Sequence, residues 1–526
     1  MKRVLIFFGL LFSIGLSAQS PNQNISNYTF SDCEPFIAVN PANPNNVIAA
    51  WIKVTGFTQA AIAVSYSNNA GQTWSSPQNM GHLSASWTSA DPSITFNSSG
   101  TAFLAYVDYE YPSLDSGAVA VVSSANGGMT WSSPVQAIDG LINSDKPVDR
   151  PWIVADNSGG TYNGRLYITS KNYENGSTTN HVYYCYSSDN GMTWSPLAIL
   201  DDVIPCDLVS SMGCLTVGAD GTVYIAYFSY NLASSLFPRV ILSKSIDGGA
   251  NFSESVITNI TGASVINDTL QGSMNLSANP IDPNNLILTV TDGRNGDADI
   301  LCIRSTNGGT TWNNTTPVRI NDDALGNGNE QDMCWASFAP DGTFAAAWRD
   351  RRNGGTSVTS PFEIWIAASV DGGAAFSVNK NVSTALSPDI PLQKGNDFIG
   401  IALSNDFVFT DWSDFRGPNY EIYTNRDSLS SLVSVYAHSA KEIGLICYPN
   451  PFTDEITFSF ELKENVSKCS ISVFDMNGKK IKTIHQGPLT KGKHEFNYNG
   501  KNLKAGNYVF VMETVAESYR KVFVKE

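Results

Sequence analysis

Along most of this chain, apolar positions come in short runs separated by residues that turn the backbone. Asp220-Gly221 precedes Thr222 to Tyr227, Asp341-Gly342 precedes Thr343 to Trp348, and Ser99-Gly100 precedes Thr101 to Tyr106. Each is read as a tight turn opening a β-hairpin. Asn40-Pro41 to Asn46 and Asn279-Pro280 to Asn285 stand at the same place in two other units as longer turns, each running into an apolar strand.

Between these hairpins one pattern recurs six times: Ser, two residues on Asp or Asn, then Gly, then an aromatic three positions later. The copies are Ser67, Asn69, Gly71, Trp74; Ser124, Asn126, Gly128, Trp131; Ser187, Asp189, Gly191, Trp194; Ser245, Asp247, Gly249, Phe252; Ser305, Asn307, Gly309, Trp312; and Ser369, Asp371, Gly373, Phe376. Their aromatics lie 57, 63, 58, 60 and 64 residues apart. The Asp or Asn side chain accepts backbone N–H groups, Gly takes the positive φ that reverses the chain, and the aromatic packs inward. With the box joining the last two strands, each unit holds four strands, and such sheets repeated radially make an all-β propeller.

A seventh unit, Asp397 to Arg426, has three strands and no box, so seven blades are expected, with six as the alternative. Its missing strand is expected from Ile25 to Phe30, which would pair the chain ends and remove free edges. The repeat resembles the Asp-box, or BNR repeat, of sialidases and related propellers.

Charge and export signals refine this picture. Lys2 and Arg3, the apolar stretch Val4 to Leu16, and Ser17-Ala18 read as a signal peptide over 1–18. The apolar stretch is too short to span a bilayer, and no transmembrane segment is expected. The formal charge of −16 excludes a nucleic-acid partner. From Cys447 onward 12 basic and 9 acidic side chains give +3, leaving −19 for the rest, and this break marks a domain boundary. The propeller is thus placed at 19–435, a linker at 436–446 and a small domain at 447–526. Of the eight cysteines, Cys206 and Cys214 either close a local loop or stay as buried thiols.

The last domain holds Cys447-Tyr448-Pro449-Asn450-Pro451-Phe452, the turn Phe474-Asp475-Met476-Asn477-Gly478-Lys479, Ala505-Gly506-Asn507-Tyr508 and Lys521-Val522-Phe523-Val524-Lys525. These resemble the type A sorting domain of the type IX secretion system of Bacteroidetes. The resemblance implies a small β-sandwich recognised by the outer-membrane machinery. The product is then secreted or attached to the outer cell surface.

Chemistry is expected on the face opposite the boxes, which are read as structural. Three hairpins share Asp, one residue, Arg: Asp292 with Arg294, Asp350 with Arg352, and Asp414 with Arg416. They either order their hairpins or converge to bind a carboxylate or sulfate, as guanidinium groups do well. Before the innermost strands stand Glu34, Asp91, Asp149 with Arg150, Glu330 with Asp332, and Asp397. Glu34, Asp91, Asp332 and Asp397 are candidate ligands for calcium, Asp149 is the candidate catalytic acid, and Arg150 a candidate for binding substrate. The alternative for each is a bond to local backbone N–H groups.

The Arg-Ile-Pro signature of sialidases is replaced here by Cys33-Glu34-Pro35-Phe36. The resemblance therefore carries over no catalytic residue. The expected function is recognition of, or action on, an acidic glycan, as a sialidase-like glycoside hydrolase if catalytic. The alternatives are a non-catalytic propeller binding glycan or surface protein, and a polysaccharide lyase.

Overall fold

The computed structural model describes residues 21–526 except 28–29, 57–58, 114–115, 141–147, 173–180, 202–203, 205–207, 232–234, 236, 262–273, 358, 391–397, 434–442, 464, 476–479 and 515–517. They form two compact units, one ending at Leu429 and the other beginning at Ser430. The signal peptide, Asp397, Cys206 and most of the expected linker lie outside the described residues.

The first unit contains seven four-stranded antiparallel sheets. Blade 1 shows the plan: Asp32–Val39 innermost, then Val47–Val54, Ala60–Ser67 and Gln78–Asn79. The innermost strands of blades 2 to 7 are Thr88–Phe96, Val148–Ala155, Leu208–Val217, Met274–Ala278, Gln331–Phe338 and Ile399–Leu403. Each touches the next, and that of blade 7 touches that of blade 1, so the ring is closed. Both faces of a blade are covered by its neighbours. Second strands therefore read as continuous apolar runs, Val223–Tyr230 being buried throughout.

Closure comes from the segment expected around Ile25 to Phe30 but is centred just before it, on Gln23–Asn24, with the Ile25 N–H bonding the Ile422 carbonyl at 2.9 Å. Gln23 pairs with Thr424 and Asn24 with Tyr423, on the strand Glu421–Ser428. Ile25 instead drops its side chain into the apolar seam between blades 7 and 1, beside Ile37, Trp51 and Phe409.

The boxes behave as their residues require. In blade 3, Asp189 Oδ1 accepts from Thr193 N at 2.9 Å, and Ser187 Oγ accepts from Gly191 N at 2.9 Å. Gly191 sits at φ +81°, where a side chain would be strained.

The boxes also clip neighbouring blades together, because their glycine carbonyls accept donors from the preceding blade. These bonds are Gln23 to Gly71 at 2.8 Å, Asn46 to Gly127 at 3.0 Å, Arg165 to Gly248 at 2.7 Å, Lys244 to Gly308 at 2.8 Å and Asn285 to Gly372 at 3.2 Å.

The second unit has one sheet of three strands, Ile446–Tyr448, Glu455–Leu462 and Gly492–Asn499. Its second sheet orders Lys480–Leu489, Val466–Asp475, Gly506–Thr514 and Ser518–Lys525. Alternating residues of both sheets, among them Phe458, Ile471, Phe510 and Phe523, share one core, as a sandwich demands. That core begins at Ile443.

Among the described residues seven cysteines are free thiols, and six of them, Cys214 included, are buried. Burial pushes the Cys214 thiol up to about 12 and so keeps it protonated. No described helix is long and apolar enough to cross a membrane.

Candidate functional site

Where the innermost strands enter the ring, that of blade 4 shifts register between Ser210 and Cys214, and those of blades 1, 2, 3 and 6 carry a bulge of one common form. The register shifts between Cys33 and Phe36, Ala90 and Ser93, Asp149 and Trp152, and Asp332 and Trp335. One residue in each adopts a left-handed conformation: Glu34 at φ 52°, Asp91 at 53°, Arg150 at 49° and Met333 at 50°. Pro35, Pro92 and Pro151 follow three of them, and a residue without an N–H cannot continue the ladder. Bulges re-aim side chains and cost backbone strain, and both recur at functional sites.

Two residues beyond the left-handed residue in blades 1, 3 and 6, and just before the innermost strand of blade 7, aromatic side chains meet at the axis of the ring. Trp152 stacks on Trp335 with centroids 5.2 Å apart, Phe36 meets both edge-on, and Phe398 lies against Trp335 at 5.5 Å. Blades 1, 3, 6 and 7 thus build an aromatic plug. At the entry end of this plug stands a set of charged groups.

Asp149 lies 3.6 Å from the Lys171 ammonium and 3.8 Å from Arg150 Nε, and hydrogen-bonds to the Asp91 carboxyl. Burial, and then the Asp91 charge, push the Asp149 carboxyl up to about 7 against the pull of Lys171 and Arg150. Two carboxyls in contact share a proton more readily than they both ionise. The Asp149 side chain keeps 15 % of its surface exposed, while Lys171 is buried. The Arg150 guanidinium reaches across the axis to lie 4.7 Å over the Phe398 ring.

Asp332 is held differently. Both its oxygens accept from Arg349 at 2.7 Å, and Arg351 lies 3.1 Å away while also bonding Asp389 at 2.8 Å. Burial acts to raise the Asp332 carboxyl, but the two guanidiniums overcome it and keep the group below its ordinary range. Glu330, nearby, is raised by burial.

Glu34 donates its backbone N–H to Ser413 Oγ at 3.2 Å. Among the described residues, no three carboxylate, imidazole or thiol groups converge as a cation would require, so no metal site is assigned.

The hairpin arginines are not at this mouth. Arg294 bonds Asp292 through Nε at 2.9 Å and Nη2 at 2.8 Å, Arg352 bonds Asp350 at 2.8 Å, and Arg416 bonds Asp414 at 2.5 Å. Each also reaches an outer segment: Arg294 to the Asn314 carbonyl, Arg352 to Asp322, and Arg416 to Thr384. Arg352 and Arg416 further lie over Trp365 and Tyr423. These are three separate staples, which is the geometry of ordered hairpins.

Blade 2 places Asp108 at the same strand position, and there His82 Nδ1 takes the cation's place at 2.7 Å. His181 likewise meets Asp201 at 2.9 Å. Asn69, Asn126, Asp189, Asp247, Asn307 and Asp371 each accept their box serine at 2.7–3.0 Å.

Three members of the mouth escaped the sequence reading, although a signal existed. Strand alternation puts Arg349 and Arg351 on one face and Asp350 with Arg352 on the other, so a run of four charged residues had to serve two sites. Lys171 stands out as the single basic residue of the strand Leu166–Asn172.

Residues 45–264 match the family described as BNR repeat-like domain, and residues 446–526 match the secretion system C-terminal sorting domain. No curated protein matches the chain. Among solved structures, the α-L-arabinanase of Penicillium chrysogenum is 14% identical with TM-score 0.46, over 78% of this chain and 98% of that one. The Hadza microbial sialidase Hz136 is 14% identical with TM-score 0.44, over 74% and 75%. PorZ of Porphyromonas gingivalis, a surface component of its type IX secretion system, is 13% identical with TM-score 0.39, over 92% and 58%. Repeat geometry and both family matches agree: residues 45–264 carry a BNR repeat-like domain within a seven-bladed β-propeller, and residues 446–526 a secretion system C-terminal sorting domain that marks the protein for secretion or attachment to the outer cell surface.

Proposed function

We propose that the axial mouth of the propeller binds an acidic glycan outside the cell, with Arg150 contacting its acidic group and Asp149 presenting a proton to it. One observation carries this reading: the Asp149 carboxyl in contact with that of Asp91, set beside Arg150 and Lys171 at a strained rim above an aromatic floor. A carboxyl that holds its proton near neutrality can hydrogen-bond an anionic ligand that an ordinary carboxylate would repel. The same group is suited to act as a general acid if a glycosidic bond is cleaved.

Export through the sorting domain supports an extracellular ligand. The ion pairs of Arg294, Arg352 and Arg416 support reading these three as hairpin staples rather than as a shared clamp.

The test pairs retention on a panel of acidic and neutral glycans with turnover of fluorogenic sialosides and acidic polysaccharides. Retention of acidic glycans only, lost in Arg150→Ala and kept in Arg352→Ala, is the expected result. Equal retention by wild type and Arg150→Ala would overturn the assignment. Turnover abolished in Asp149→Asn with binding intact would add catalysis to recognition.

A further inference from the structure

We propose that the joint between the last and first blades is a proton-controlled latch: neutral carboxyl groups wedged in it keep the ring shut, and their ionisation frees the N-terminal strand. Six joints of the ring link complete blades along the chain. The seventh joins the chain ends: Gln23 and Asn24 pair with Glu421–Ser428, Ile25 donates its N–H to the Ile422 carbonyl at 2.9 Å, and Asp32–Val39 packs on the strands of blade 7.

The interior of this joint is apolar, with Ile25, Ile37, Val47, Trp51, Ala402 and Phe409 packed together. Asp411 is fully buried inside it. It pairs across the sheet with Gly400, and a Cβ on residue 400 would collide with its Oδ1 and crowd Ile37 of blade 1. Glycine at 400 therefore makes room for a carboxyl. Among the described residues, neither oxygen of that carboxyl has a hydrogen-bond partner in good geometry, although the main-chain N–H groups of Gly400 and of Asp411 itself lie near enough to act on it. No charged side chain acts on it from either strand it packs against.

Asp32, also fully buried, stands in blade 1 at the same joint. Ser26 and the Trp51 indole lie beside it, Lys53 draws on it, and Glu421 opposes its charge. Glu421 in turn holds Asn24 of the closing strand at 2.7 Å.

Burial pushes Asp32 up to about 7 and Asp411 well above its ordinary range. An unpaired carboxylate in an apolar seam is costly, whereas opening the joint hydrates it. The sign follows: both folded-state values are raised, so the stabilisation is complete below about pH 4 and is lost as pH rises through about 7 for Asp32. From Asp32 alone, joint opening gains on the order of 100-fold between pH 5 and pH 8.

The experiment is hydrogen exchange by mass spectrometry on the mature full chain at pH 5 and pH 8, corrected for intrinsic exchange. Peptides covering Gln23–Asn24 and Glu421–Ser428 are compared with Val223–Tyr230 as reference. The joint is expected to lose protection by at least about 100-fold and the reference by no more than about threefold. Asp32→Asn and Asp411→Asn, permanently neutral and of the same shape, should each lose less protection between pH 5 and pH 8 than wild type, and the double variant should keep its pH 5 protection at pH 8. Should Asp411→Asn fail to fold, Asp32→Asn and the wild-type series carry the test. Joint protection unchanged with pH, a parallel loss in the reference, or wild-type pH dependence in the folded variants would overturn the proposal.

Discussion

Gln23 donates from Nε2 to the carbonyl of Gly71 at 2.8 Å, joining the strand that completes the last blade to the box of the first. Its neighbour Asn22 bonds the Val382 carbonyl at 2.7 Å and accepts from Thr384 N at 2.6 Å, so the short segment touches blades 6, 7 and 1. Asn22→Ala removes these bonds from a half-buried site and is expected to cost about 1–2 kcal/mol. Urea denaturation monitored by tryptophan fluorescence measures it, since every tryptophan of the chain precedes the sorting domain.

The axial plug should be the most sensitive place in the ring. Trp335→Ala deletes the partner of Trp152, Phe36 and Phe398 at once, and is expected to cost about 3–5 kcal/mol. Trp335→Phe should recover most of that loss in thermal melts.

Gly373 shows why box glycines resist substitution. It sits at φ +82°, and an added Cβ would lie 2.9 Å from both Cys302 Sγ and Ile287 Cδ1. Gly373→Ala is expected to destabilise by more than about 1 kcal/mol, whereas alanine at exposed box positions changes little.

Removing Asp91 isolates the cause of the Asp149 shift. In Asp91→Asn the opposing charge is gone, and the Asp149 titration should move below about 7, read by carboxyl carbon NMR. The stabilisation tied to the shared proton is complete below about pH 4 and lost as pH rises through about 7. The variant should therefore flatten stability over that window.

Arg352→Ala strips Asp350, which is fully buried, of its guanidinium partner and exposes the Trp365 face. It should cost about 2–3 kcal/mol in denaturant while leaving glycan retention as in wild type. Loss of retention without loss of stability would return Arg352 to the binding site.

The ring was legible in the sequence because its turns are chemically demanding. Ser187, Asp189 and Gly191 each answer a specific backbone need, and a pattern repeated six times fixes the radial plan. Closure was legible in kind, but its register slipped. Gln23 and Asn24 are polar and pair through the backbone, whereas the more strand-like Ile25 serves the seam.

The mouth was half legible. Asp149, Arg150 and Asp91 announce themselves next to Pro151 and Pro92, where the ladder must break. Which arginines face the axis depends on strand alternation, and Arg349 and Arg351 were hidden beside the more regular Asp350 and Arg352.

The stacked indoles on the axis also decide how a polymer can approach. A filled bore separates the two ends of the ring, so no glycan strand can thread from one side to the other. Whatever enters the mouth must back out of it. Such a blind vestibule suits the terminus of a chain or a side branch, and release by reversal rather than by onward sliding.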